Sequence, residues 1–150
     1  SVRDALSHIN QTVHRAENDA IVIGANTARY DFPKLNCRIL GLEEYSPKVI
    51  IMANNLDKKL HQYLYNRKDK IYIATNNAEF SKLENIIIIN YHNIENLLNK
   101  LVKFGIYNLL VEGGGKVATE FIKSGNVDKL KIFRGDKIIG SDGIDGIKKI

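Results

Sequence analysis

Cysteine is nearly absent from this sequence: of its 150 residues, only Cys37 carries a thiol. One thiol cannot form an internal disulfide, nor can it supply a zinc site that needs several cysteines. The four histidines are scattered, and none belongs to a His-x-Glu unit followed by Pro-Cys-x-x-Cys, which is the signature of zinc-dependent nucleobase deaminases. The sequence therefore predicts no metal site and excludes deaminase chemistry for this chain.

Long apolar runs are also lacking. No stretch approaches the roughly 20 apolar residues that a membrane-spanning helix needs, although 44% of the residues are hydrophobic. The first residues, SVRDALSHINQTVHRAEND, are amphipathic and polar and contain no apolar core of a signal peptide. The composition is typical of a globular protein, and we expect a cytoplasmic location without a membrane partner.

The net charge of +5 raises the question of a nucleic-acid partner. The lysines, however, are spread along the chain, and Lys58-Lys59 and Lys148-Lys149 are the only adjacent lysine pairs. No stripe of basic and aromatic residues accompanies them. We therefore interpret the positive charge as a solvated surface and predict no nucleic-acid partner.

Short, dense apolar runs alternate with segments of helical periodicity along the chain. This alternation indicates one α/β domain over residues 1–150, with three layers and a mostly parallel central sheet flanked by helices. Residues 25–38 lack apolar periodicity, so we expect a long loop there. The predicted strands are 19–24, 48–53, 70–75, 85–90, 107–112 and 128–133, and the predicted helices are 2–18, 55–65, 93–104 and 116–124.

The most informative segment is LLVEGGGKVATEF, a predicted strand that runs straight into Gly113-Gly114-Gly115 and then a helix. Glycines leave the backbone N–H groups of the helix N-terminus unobstructed, and the partial positive charge there favours a phosphate. The segment matches the loose pattern G-x-G-x-x-A but is not a Walker A loop, because Val117 rather than Ser or Thr follows Lys116. Taken alone, the turn is equally well explained by a tight bend that needs positive φ.

Polar side chains accompany this turn and a second segment. Glu112 lies at the carboxyl end of a predicted strand, the edge at which open α/β sheets bind ligands. Arg15 and Arg38 flank another strand and its loop, and arginine suits bidentate phosphate recognition. Thr27 and Asp31 belong to that loop. Singly, each has a structural explanation, such as a helix C-terminus for Arg15 or a turn for Asp31.

Together these residues resemble a known family. The pattern HRAxxDAIVIGxxTxxxDxPxLxxR over 14–38 is similar to the reductase domain of the riboflavin-biosynthesis deaminase/reductase family. A second block over 109–140, which holds LLVEGGG, GxVDxL and KIIG, is similar to the same family. The blocks stand in the family's order and spacing, whereas residues 39–108 match only in their alternation of strands and helices. The resemblance implies a dihydrofolate-reductase-like fold.

By this resemblance, the chain uses NADPH to reduce 5-amino-6-(5-phosphoribosylamino)uracil to its ribityl counterpart, with hydride passing to C1′ of the ribosylamino group. Asp31 is the first candidate for the proton donor. The resemblance also implies residue roles by position. The implied substrate contacts are Arg15, Leu35, Arg38 and Glu112, and the implied cofactor contacts are Thr27, Asp31, Gly114, Gly115, Lys116, Val117, Ala118, Thr119 and Glu120.

The resemblance further implies elements that this sequence does not contain, namely a first strand upstream, the last strands of the family downstream, and an upstream deaminase domain in the full-length protein. It also implies a homodimer. Two other hypotheses remain open: another dihydrofolate-reductase-like enzyme acting on a pterin, and a non-catalytic nucleotide-binding remnant. The pair of arginines favours a phosphorylated substrate over a pterin.

Overall fold

The computed structural model describes residues 17–31, 35, 46–67, 69–77, 86–112 and 114–132. Within these residues, five strands form one sheet and four helices lie on its two faces. The strands are β1 (Ala20–Gly24), β2 (Lys48–Met52), β3 (Ile71–Thr75), β4 (Ile86–Asn90) and β5 (Leu109–Val111). The helices are α1 (Ala25–Asp31), α2 (Lys58–Tyr65), α3 (Ile94–Val102) and α4 (Gly115–Lys123). The sheet order is β4-β3-β2-β1-β5, and every pairing is parallel.

The central strands are apolar along their length because helices cover both faces of the sheet. Successive side chains of a strand point to opposite faces, so Val22 joins one apolar cluster while Ile21 joins the other. The same division holds in β2 for Ile50 and Ile51. The predicted three-layer α/β fold with a parallel central sheet is confirmed.

Each apolar cluster belongs to a different pair of helices. α3 and α4 contribute Leu97 and Phe121 to the cluster that contains Val22. α1 and α2 contribute Ala28 and Leu60 to the cluster on the other face. The first two helices therefore cover one side of the sheet, and the last two cover the opposite side.

Side-chain caps begin α2 and α3. Asp57 accepts a hydrogen bond from the backbone N–H of Leu60 at 2.9 Å, and Asn93 accepts one from Asn96 at 2.8 Å. Such caps satisfy N–H groups that the first helical turn leaves without partners. Gly105, at a φ of 73°, follows the end of α3 as predicted.

Asp19 ties the amino ends of β1 and β5 together. Its carboxylate accepts hydrogen bonds from the backbone N–H groups of Tyr107 at 2.8 Å and Asn108 at 2.9 Å. The bond from Asn108, followed by that from Tyr107, lowers the pKa of Asp19 from its ordinary value. The two strands are thus joined at the end opposite their carboxyl termini.

Residues 25–31 form a helix, so the predicted loop is wrong there. Of the seven residues of α1, only Ala28 is buried, and the segment therefore has no apolar stripe for a periodicity argument to detect. Leu35 is buried and has a φ of 51°. The other residues of the predicted loop lie outside the described part of the chain.

The predicted strand over 128–133 is also wrong where the structure describes it, because residues 128–132 belong to no strand. A strand needs a partner for its backbone N–H and C=O groups, and β5 has no neighbour on its outer side within the described residues. Leu130 and Ile132 are accordingly 57% and 69% exposed.

The predicted helix over 2–18 falls almost entirely outside the described residues. Glu17 and Asn18, its last two members, are described and are not helical; they lead into β1. In the part of the chain that the structure describes, no helix has the length and apolar character required to cross a membrane.

Candidate active site

The order of the strands opens a crevice between β1 and β5. The chain passes from β1 through β2 and β3 to β4 in one direction and then returns to place β5 on the other side of β1. Where the direction reverses, the segments that follow adjacent strands leave toward opposite faces, and ligands of open α/β sheets bind there. Here α1 follows β1 directly, and α4 begins shortly after β5.

A cleft of about 790 Å³ lies at this edge of the sheet. Pockets that bind small molecules and cofactors have volumes of roughly 300–1,000 Å³. The cleft brings together most of the predicted site residues that the structure describes, namely Thr27, Asp31, Leu35, Glu112, Gly114, Gly115, Lys116, Val117 and Glu120. Arg15 and Arg38, the two predicted substrate-binding arginines, lie outside the described residues.

The two predicted segments meet closely across the cleft. A Cβ atom placed on Gly114 would lie 3.9 Å from the Oγ1 atom of Thr27. A Cβ atom placed on Gly24, at the end of β1, would lie 3.0 Å from a methyl group of Val117 on α4. Glycine at position 24 lets the first turn of α4 approach the end of β1, whereas the distance at Gly114 is an ordinary van der Waals contact between the turn and the start of α1.

The first turn of α4 presents open backbone N–H groups to the cleft. Gly114 is the N-cap of this nine-residue helix and provides no side-chain cap. The N–H groups of a first helical turn have no intrahelical partners and carry the positive end of the helix dipole. Ala118 and Thr119, two of the predicted cofactor contacts, do not line the cleft. Thr119 is buried, and its hydroxyl donates to the carbonyl of Gly115.

Three carboxylates face the cleft from different elements. Asp31 lies four residues after Thr27 on α1, so both side chains occupy the same face of that helix. Glu112 follows β5, where its backbone N–H donates to the carbonyl of Val22 at 2.9 Å. Glu120 comes from the second turn of α4. Proton donors and acceptors are therefore available on both walls.

Tyr91 was not predicted as a site residue, yet it lines the cleft. It follows β4, and its backbone N–H donates to the carbonyl of Thr75 at 3.0 Å. Burial, and to a smaller extent the charge of Glu120, raise the pKa of the Tyr91 hydroxyl. The phenol is therefore neutral at physiological pH and can donate a hydrogen bond.

A polar corner was missed as well. Asn26 and Arg29 of α1 and Asn54 and Asn55 after β2 all line the cleft. The sequence contained a signal for the two asparagines, because they directly follow a predicted parallel strand at the edge where ligands bind. For Arg29 there was no such signal, since residues 25–38 were expected to form a loop.

The described residues include no group of three or more His, Cys, Asp or Glu side chains that could hold a metal ion. The site thus offers backbone N–H groups, amides, carboxylates, the cation of Lys116 and that of Arg29, which is paired with Asp57. Backbone N–H groups and cations bind phosphates, and carboxylates and amides hydrogen-bond sugar hydroxyls and bases. The set fits a phosphorylated nucleotide-like ligand.

Comparison with known proteins identifies the family of the chain. The model of the RibD C-terminal domain family matches residues 4–147. The chain belongs to this family. It is 32% identical over 146 residues to the riboflavin biosynthesis protein RibD of Aquifex aeolicus, an alignment that covers 91% of this chain and 41% of that protein.

Two further relatives extend the comparison. A 2,5-diamino-6-ribosylamino-4(3H)-pyrimidinone 5′-phosphate reductase of Aquifex aeolicus is 28% identical over 153 residues, covering 91% of this chain and 67% of that protein. The crystal structure of a diaminohydroxyphosphoribosylaminopyrimidine deaminase/5-amino-6-(5-phosphoribosylamino)uracil reductase from Thermotoga maritima superposes with a TM-score of 0.64 at 22% identity, covering 77% of this chain and 33% of that one. The likeness confirms the predicted dihydrofolate-reductase-like fold. The chain spans from about one fifth to two thirds of the length of the curated relatives that it matches.

Proposed function

We propose that this chain is the reductase part of a riboflavin-biosynthesis enzyme and that it reduces 5-amino-6-(5-phosphoribosylamino)uracil to 5-amino-6-(5-phosphoribitylamino)uracil with NADPH. One observation carries the proposal: in a member of the RibD C-terminal domain family, the glycine turn and α1 form the two walls of one cleft. The Thermotoga maritima relative is named as a reductase of this uracil, and the Aquifex aeolicus reductase is named for the corresponding diaminopyrimidinone 5′-phosphate. Both names support a phosphorylated ribosylaminopyrimidine as the substrate class.

The open first turn of α4 is the part of the cleft that fits the phosphates of NADPH. Gly114 and Gly115 would offer backbone N–H groups, Lys116 a positive charge, and Thr27 a hydroxyl from the opposite wall. When bound, NADPH supplies a hydride, which the substrate accepts at C1′ of its ring-opened ribosylamino group.

The remaining polar residues would align the substrate and move protons. We assign Asp31 as the first candidate for the proton donor, because it lies one helical turn from Thr27 and faces the same cleft. Glu112 and Leu35 would contact the substrate, as would Arg15 and Arg38 from outside the described residues. Holding both reactants in one cleft supplies the proximity on which hydride transfer depends.

The wider setting is proposed on the family resemblance. We expect a homodimer in the cytoplasm, and an upstream deaminase domain in the full-length protein. A homodimer is tested by the mass of the purified protein in solution, and the deaminase by the complete open reading frame.

The catalytic proposal is tested with the purified full-length protein. NADPH oxidation is followed with 5-amino-6-(5-phosphoribosylamino)uracil, with its dephosphorylated form and with dihydrofolate, and the product is identified by its mass. We expect oxidation with the first compound and little with the other two. Preferred turnover of dihydrofolate would indicate a pterin reductase. Cofactor binding by calorimetry without any turnover would indicate a nucleotide-binding remnant, and either result would overturn the proposal.

A further inference from the structure

α1 is a short helix that carries two of the proposed functional side chains with little apolar support. Thr27 and Asp31 both face the cleft, but Ala28 is the only buried residue of α1. Polar contacts must therefore contribute to holding the helix in place. Arg29 makes contacts of this kind with residues beyond the helix.

The guanidinium of Arg29 reaches three side chains at once. Its Nε atom lies 2.7 Å from the carboxylate of Asp57, and its Nη1 donates to the side-chain oxygen of Asn26 at 2.9 Å. Its Nη2 donates to the side-chain oxygen of Asn55 at 2.7 Å and to the carbonyl of Asn55 at 3.2 Å. The side chain is only 11% exposed. The contact of Nε with Asp57 is an ion pair without hydrogen-bond geometry, whereas the Nη atoms make the hydrogen bonds. A planar guanidinium held from several directions has one preferred orientation.

The partners of Arg29 belong to the well-packed part of the fold. Asp57 is the N-cap of α2 and accepts a hydrogen bond from the N–H of Leu60, whose side chain is fully buried. Asn55 lies shortly after β2, one of the central strands. The residue before it, Asn54, is fixed by a hydrogen bond of 3.0 Å that its backbone carbonyl accepts from the side-chain amide of Asn77. Arg29 thus connects α1 to the end of β2 and the start of α2.

We propose that Arg29 and Asp57 form a positioning pair that sets the place of Thr27 and Asp31 relative to the glycine turn. Asp57 does not line the cleft, so its part is to orient the guanidinium rather than to touch a ligand. The carboxylate also offsets the charge of Arg29, which makes the arginine less suited to attract a phosphate by itself. The kinetic part of this inference rests on the proposed function, because only then is the position of α1 a determinant of hydride transfer.

Asp57→Asn is the most informative variant. Asparagine is as good an N-cap as aspartate, so the start of α2 is preserved while the ion pair to Arg29 is lost. A shift of α1 by a fraction of an ångström should lower kcat by about tenfold, because catalysis depends steeply on alignment. KM for NADPH should change less than twofold, and the backbone amides of α1 should exchange with solvent faster in the ligand-free protein.

Arg29→Ala completes a double-mutant cycle. If the two residues act as a pair, the double variant should be no slower than Arg29→Ala alone. Arg29→Lys should not restore kcat, because an ammonium group cannot reach three partners in the plane of a guanidinium.

Arg67→Ala is the matched control. Arg67 also forms an ion pair with an aspartate, Asp69, and donates a hydrogen bond to the hydroxyl of Tyr63. Its side chain is 12% exposed, and it does not line the cleft. This variant should lose stability while kcat and the exchange of α1 stay at wild-type values.

The possible results distinguish a positioning pair from a ligand contact. Wild-type kcat and wild-type exchange of α1 in Asp57→Asn would overturn the positioning pair. If Arg29→Ala raised KM for NADPH at least tenfold while Asp57→Asn had no effect, the arginine would be a ligand contact instead. A full-length wild-type protein that is inactive with the substrate would contradict the proposed function alone, since hydrogen exchange still tests the pair in the absence of turnover.

Discussion

The two walls of the cleft are held in place by different forces. On one side, α4 inserts Val117 and Phe121 into an apolar cluster beneath the sheet, and Val117 lies close to Gly24 at the end of β1. On the other side, α1 buries only Ala28 and is connected to its neighbours through the guanidinium of Arg29. The comparison indicates that α4 is held mainly by apolar packing in the core, whereas α1 is held largely by polar contacts with neighbouring segments.

Substitutions in the two walls should therefore fail in different ways. Loss of apolar volume beneath α4 should mainly cost stability, because the cavity removes packing that the whole sheet shares. Changes at the exposed positions of α1 should mainly cost activity, because only Ala28 of that helix is buried.

The largest expected effect is that of Phe121→Ala. The Phe121 side chain is 3% exposed, and truncation of a buried phenylalanine costs about 3–5 kcal/mol of unfolding free energy. Urea denaturation measures the loss. The corresponding change on the other wall, Ala28→Gly, should cost only about 1 kcal/mol, mainly through helix propensity. Equal losses in the two variants would contradict the contrast between the walls.

Asp31→Asn should affect turnover without affecting folding. Asp31 is exposed on α1, so the free energy of unfolding should stay within about 0.5 kcal/mol of the wild-type value. Removal of a proton donor should lower kcat by roughly 100-fold. Steady-state kinetics decide the matter, with Asp128→Asn, an exposed aspartate that does not line the cleft, as the control. Wild-type turnover in Asp31→Asn would remove this residue from the mechanism.

Gly24→Ala tests the close approach of α4 to β1. The added methyl group would lie 3.0 Å from a methyl of Val117, and such overpacking costs about 1–3 kcal/mol. Thermal unfolding should show a lower midpoint. In the double variant with Val117→Ala, the methyl added at position 24 has no opposing methyl. The double variant should therefore lose less stability than the sum of the two single losses. Strict additivity of the two substitutions would show that the contact is not the cause.

The smallest effect is a dependence on pH through Asp19. The folded protein lowers the pKa of Asp19 below its ordinary value of 3.8, first through Asn108 and then through Tyr107. The unfolded chain binds a proton more readily, so the stabilisation is present above that value and is lost as the pH falls through the lowered pKa. Asp19→Asn should therefore be less stable than the wild type at neutral pH. The unfolding free energies of the two proteins, measured by urea denaturation at a series of pH values, should converge in acid. A constant difference between them at every pH would contradict this role.

Much of the fold could be predicted from the sequence because its signals are local. β1 to β4 are short apolar runs, and α3 has an apolar stripe, a capping asparagine and a glycine that ends it. The glycine turn could be identified for a similar reason, since three consecutive glycines between an apolar run and a helical segment indicate a tight turn with open backbone N–H groups. The structure places Gly114 and Gly115 of this turn in one cleft with Thr27.

The errors fall where structure depends on distant partners. α1 was expected to be a loop because residues 25–38 lack apolar periodicity. The helix is instead supported by contacts with Asn55 and Asp57, which lie more than 20 residues away in the chain. Residues 128–132 have the composition of a strand but lack a neighbouring strand within the described residues. Tyr91, which follows β4, shares the cleft with Glu120 of α4, although the two residues are distant in the chain.

The sequence by itself determined the layers of this protein and the chemistry of its glycine turn, because apolar periodicity and backbone freedom are properties of neighbouring residues. The tertiary structure decided which side chains share the cleft. Parallel strands bring residues from distant parts of the chain to one edge, and the position of α1 there depends on hydrogen bonds and an ion pair that no local pattern encodes.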